Sequence, residues 1–126
     1  MADFGRGRPC DCYQLGKVAE ALSVYPGHIS NWVSIGGDVY FSQALDRLGD
    51  LYKHLAHLWE VLPVDYEGAI LSINAALGRM AGLLQAIKSE RDPLRRSSTQ
   101  EAAERLAEDL ASSCMGLATT LMRMCC

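Results

Sequence analysis

Residues 41–62 read FSQALDRLGDLYKHLAHLWEVL, and the spacing of apolar residues in this stretch decides the fold. Phe41, Leu45, Leu48, Tyr52, Leu55, Trp59 and Leu62 recur at alternating steps of four and three. That is the seam of a helix packed along another helix. Ala44, Leu51 and Leu58 widen the seam into a broad apolar face, which suits a bundle better than a two-stranded coil. Asp46, Arg47, Asp50, Lys53 and His54 lie mostly off it. A helix patterned in this way needs partners.

The flanking sequence supplies them. Pro63 cannot continue the hydrogen-bond ladder and is expected to end this helix. Beyond it, Tyr66, Ile70, Ile73, Leu77, Met80, Leu84 and Ile87 repeat the spacing, with Asp65 as the expected cap and Glu67 favourable in the first turn. So short a link makes the two helices antiparallel neighbours. Pro93 signals another break, and Ser98 with Glu101 forms a capping box. From there Ala103, Leu106, Leu110, Cys114, Leu117, Leu121 and Met124 predict a last helix.

On the N-terminal side, Cys12, Leu15, Ala19 and Leu22 mark a short helix over about residues 11–23. Pro26-Gly27 and Gly36-Gly37 read as turns. Ile29, Trp32, Val33 and Ile35 between them are expected to fold over one end of the bundle, and Asp38 to cap the long helix. The expected fold is all-α: an antiparallel up-and-down helical bundle of three long helices plus a shorter N-terminal one. Residues 1–9, rich in Gly and Arg, read as a flexible arm, and 10–126 as a single domain.

Composition narrows the classes. A chain of 126 residues can bury a real core, and 49% hydrophobic with 21% charged residues argues against disorder throughout. The net charge of −3, with both signs interspersed, disfavours a nucleic-acid binder. The N-terminus has no apolar run of a secretory signal. Cysteines at 10, 12, 114, 125 and 126 are odd in number and clustered at the ends, which fits a reducing cytoplasmic setting better than a disulfide framework. Residues 69–87 are nearly apolar, but Arg79 sits at their middle among Ser72, Asn74 and Gln85. They read as the most buried helix of the bundle rather than a membrane span. Gly78 and Gly82 lower helix propensity and are expected to mark close approach of a neighbouring helix.

Chemistry is sparse. His54 and His57 share one side of a helix, but no further ligand matches them, so no metal or cofactor is expected. Cys10-x-Cys12 lacks the spacing of a zinc knuckle; a cluster with Cys125 and Cys126 would require the chain ends to meet. No nucleophile–base order, phosphate loop or carboxylate pair emerges, so the chain reads as a non-enzyme. Arg95-Arg96-Ser97-Ser98 reads either as a basophilic kinase site on Ser98 or as a basic loop with a capping serine. The terminal Cys125-Cys126 resembles the doubly prenylated end of Rab-type small GTPases, although no GTPase domain accompanies it; the other reading is an unmodified pair.

One wider resemblance carries direction. LGKVAEAL at residues 15–22, Asn31-Trp32, SQALDRLGDLYKHLAHLW and LGRMAGLL at residues 77–84 together resemble the BAR region of sorting nexins, over residues 15–88. That family's modules form crescent dimers on curved endosomal membranes beside a phosphoinositide-binding domain that has no counterpart here. The resemblance implies a helical interaction module in endosomal membrane trafficking, cytoplasmic or peripheral on the endosome. It would self-associate or pair with a protein partner through Tyr52, Leu55, Trp59, Met80 and Leu84. Arg79, Lys88, Arg91, Arg95 and Arg96 are the candidate lipid contacts, and Ser98, Cys125 and Cys126 the candidate modification sites. The alternative is a small structural or adaptor subunit of a larger helical complex with no membrane contact.

Overall fold

The computed structural model describes residues 12–62 and 64–125. Four helices follow one another: α1 Cys12–Ile35, α2 Asp38–Val61, α3 Glu67–Ser89 and α4 Pro93–Cys125, with a 3-10 turn over Val64–Tyr66 leading into α3. Each helix packs on its neighbour in sequence, α1 also packs on α4, and the diagonal pairs α1/α3 and α2/α4 do not meet. The result is an antiparallel four-helix bundle of up-down-up-down order. Among the described residues, the core comprises one continuous cluster including Leu22, Ile29, Phe41, Leu51, Leu55, Leu58, Ile70, Met80, Leu84, Ile87, Leu110 and Leu121. Each such side chain contributes about 1.5–3 kcal/mol on leaving water.

The first helix is not short. α1 runs through Pro26 without a break and matches α2 in length. Proline in a helix interior costs about 3 kcal/mol because it lacks the N–H that would reach back four residues. Here Pro26 is buried, and the apolar stripe of Leu15, Val18, Leu22, Ile29 and Val33 continues across it onto α4. Burial of that stripe outweighs the lost bond, so Ile29, Trp32 and Val33 line the flank of the bundle instead of covering its end. The reversal comes at Gly36 and Gly37, whose φ values of 81° and 101° lie where residues with a Cβ are strained. Gln100 Nε2 donates to Val33 O at 2.8 Å and fixes this corner against α4.

Other boundaries also moved. α4 begins at Pro93, not at Ser98: Asp92 Oδ1 accepts from the Leu94 N–H at 3.1 Å, and proline occupies the first helical position, where no N–H is required. Ser98 is an exposed residue inside the helix. Asp65 belongs to the 3-10 turn, and α3 starts without a side-chain cap. Asp38 lies in the first turn of α2 behind Gly37 and pairs with Arg96 instead of capping. Pro63 and the arm at residues 1–9 lie outside the described residues; α2 ends at Val61, with the Leu62 N–H bonded to Leu58 O at 2.9 Å.

α3 is not the most buried helix. With the turn before it, it is long and apolar enough to cross a membrane, yet only 39% of its most apolar window is buried. Its low polarity comes from an outer face of Gly68, Leu71, Ala75, Gly78 and Gly82, all exposed. A Cβ added at Gly78 or Gly82 would meet nothing within 4 Å, so neither glycine serves a close approach within the chain.

Candidate interaction surface

The α2/α3 pair leaves an apolar surface uncovered. Tyr52 is 59% exposed, Trp59 40% and Leu71 58%, well beyond what a core position shows. Lys88 Nζ donates to Ser42 Oγ at 2.9 Å, so these two positions lie near the same level of the two helices. Both helices rise about 1.5 Å per residue. Equal steps from that bond bring Tyr52 to about the level of Gly78 and Trp59 to about the level of Leu71 along the bundle. The surface is a protruding aromatic row on α2 with a lower, small-residue row on α3.

The residues expected to mediate association divide accordingly. Tyr52 and Trp59 are on the surface, whereas Leu55, Met80 and Leu84 are fully buried in this chain's own core and present nothing to a partner. All five belong to one apolar pattern. The four-three seam carries core and flank residues alike, and only the position of the adjoining helices separates them.

A second cluster, between α1 and α2, is polar and aromatic. The Arg47 guanidinium lies 4.7 Å from the Tyr25 ring centroid and 5.4 Å from that of Trp32. Tyr25 also meets His28 and His54, at 6.4 and 6.0 Å between ring centroids. Beside it is an open groove of about 330 Å³ lined by Lys17, Glu20, Ala21, Val24, Tyr25 and His54. Burial, with neighbouring His57 and Lys17, holds the His54 imidazole below its usual 6.5, while Asp50 acts in the opposite direction. Tyr25 and Trp32 stand one heptad apart on α1, as do Arg47 and His54 on α2, so the signal was in the sequence. Reading Pro26 as a break hid it. Among the described residues no group of three or more His, Cys, Asp or Glu side chains is placed to hold a metal ion.

The candidate lipid contacts do not form a single patch. Arg79 is exposed at mid-α3, away from Lys88, Arg91, Arg95 and Arg96 at one end of the bundle. Arg96 reaches Asp38 at 3.0 Å and Arg95 reaches Asp92 at 3.6 Å, which leaves Lys88 and Arg91 as the unpaired cations there among the described residues. Of the candidate modification sites, Ser98 is exposed on α4, Cys125 is the last residue of that helix, and Cys126 lies outside the described residues, as does Cys10. Cys114 is buried, and desolvation pushes its thiol up to about 12.

The fold and surface define a four-helix bundle whose α2/α3 flank is apolar and uncovered, with further exposed apolar side chains on α1 and α4 (Tyr13, Val24, Met115 and Met122) and about the α1/α2 turn (Ile35, Val39 and Tyr40). No family model, curated protein or solved structure matches the chain.

Proposed function

We propose that this chain is a non-enzymatic interaction module that presents the α2/α3 flank to another helical surface. The observation that carries this reading is the row of Tyr52, Trp59 and Leu71 left exposed by a bundle whose core is otherwise complete. Large aromatic side chains on a surface otherwise low in charge are the usual anchors of protein association. An adaptor role is favoured over direct membrane binding, because internal ion pairs already occupy Arg95 and Arg96. The endosomal setting rests on the sorting-nexin resemblance alone.

The test compares the tagged chain with a Tyr52→Ser/Trp59→Ser variant in cells, with cross-linking and mass spectrometry to map contacts. The reading expects cross-links from Lys53 to another polypeptide that vanish in the variant. Cross-links unchanged in the variant, or confined to other faces, would end it. Co-sedimentation with anionic vesicles separates the membrane alternative: salt-sensitive binding lost in Lys88→Glu/Arg91→Glu would favour it over the adaptor role.

A further inference from the structure

We propose that Cys12 and Cys125 form a redox-responsive disulfide that ties the first turn of α1 to the last turn of α4. The site is separate from the α2/α3 flank and goes beyond the interaction-module reading. Level, side and packing each support it.

Two contacts relate the levels of α1 and α4. Ser23 Oγ meets Met115 Sδ at 3.9 Å, and Gln100 Nε2 donates to Val33 O at 2.8 Å. The helices are antiparallel and rise equally, so steps back along α1 match steps forward along α4. Counted from the first contact, Cys12 comes level with residue 126; counted from the second, with residue 121. Cys125 lies between the two. The sides agree as well. Cys12 stands about three turns before Ser23, and Cys125 about seven turns beyond Gln100. Both positions therefore fall where α1 and α4 face each other. Cys12 extends the heptad of Ala19, Pro26 and Val33, and Cys125 that of Ala118, all of them buried.

Packing on this seam suits a short bridge. Ala19 on α1 and Ala107 and Ala118 on α4 are buried, and side chains that small let two backbones come close. A disulfide needs Cα atoms about 4.4–6.8 Å apart, which facing positions on closely packed helices can reach. Cys114 has no cysteine opposite it among the described residues. Cys10 and Cys126 lie outside the described residues, and the bridge requires neither.

In a reducing compartment the two thiols stay unbridged, and a rise in a small-molecule disulfide such as oxidised glutathione joins them. One cysteine thiolate attacks a glutathione sulfur, forms a mixed disulfide and releases a glutathione thiolate. The other cysteine thiolate attacks the protein sulfur of that mixed disulfide and releases the second. Two cysteines are oxidised, one glutathione disulfide is reduced to two thiols, and those thiols take the cysteine protons. The bond encloses nearly the whole described chain, and long loops give the largest constraint on the unfolded state.

The experiment equilibrates the full chain, as Cys10→Ser/Cys126→Ser, in glutathione redox buffers and maps the bond by non-reducing digestion and mass spectrometry. A peptide pair joining Cys12 to Cys125 within one chain is expected. It should form about a hundredfold or more favourably in the folded chain than in urea, and raise the thermal midpoint by about 10 °C or more over the reduced chain. Adding Cys12→Ser should abolish both effects and leave the far-ultraviolet helix signal and the reduced midpoint unchanged. A folded chain that yields no such pair overturns the proposal. So does a pair that links two chains, or one that forms no better in the folded chain than in urea.

Discussion

Leu55 and Tyr52 stand one turn apart on the same helix and differ in what each can do. Leu55 is sealed within the core, and Leu55→Ala should lower unfolding free energy by about 2–5 kcal/mol, read from denaturant titration. Tyr52→Ala at a protein concentration too low for association should change it by less than about 0.5 kcal/mol. Equal losses would mean that Tyr52 is packed within the chain. His54 offers a second residue-level test. Its imidazole is held below 6.5, so as pH falls through that value the unfolded chain takes up the proton first. The stability associated with neutral His54 is therefore present above pH 6.5 and lost as pH falls through the lower folded value. Denaturation midpoints should drop as pH falls below 6.5 towards the lower folded-state value, and His54→Gln should flatten that drop. An unchanged slope in the variant would assign the effect to other groups.

Among the helices, the informative positions are the prolines. Pro26→Ala restores an N–H for the α1 ladder and loses a small buried ring, so a net gain of about 1–2 kcal/mol is expected, visible as a higher thermal midpoint. A loss would mean that the bend at Pro26 is needed for packing on α4. At the start of α4, Asp92→Ala should remove about 1 kcal/mol, whereas Ser98→Ala should be neutral or slightly stabilising, since only Asp92 caps. The reverse order would restore Ser98 as the helix start. The same positions explain what could be read from sequence. The heptads of α2 and α3 and the Gly36-Gly37 reversal were legible because apolar spacing and positive φ are local properties. Pro26 and Pro93 were not, because the same residue type is tolerated inside one helix and opens another, according to packing that sequence spacing does not encode. Half of the candidate surface was legible for a related reason: Tyr52 and Trp59 share the seam with Leu55, and only the placement of α3 leaves the first two uncovered.

For the molecule as a whole, Cys114 reports on how the bundle opens. With its thiol buried on α4 and raised to about 12, it carries almost no thiolate at neutral pH. Alkylation followed by peptide mapping should modify Cys114 only as fast as global unfolding exposes it, and Leu55→Ala should accelerate the reaction. Labelling that ignores Leu55→Ala would identify α4 as a helix that detaches alone. The arrangement predicts otherwise, because α4 closes the ring: its broadest contact is with α1, the helix furthest from it in sequence. That closure has a bearing on biosynthesis. While a ribosome is still extending the chain through α4, α1 has already emerged with its widest packing surface bare. The nascent three-helix intermediate thus keeps that surface exposed until α4 emerges, which makes it a natural client for a chaperone that shelters apolar helices until translation ends.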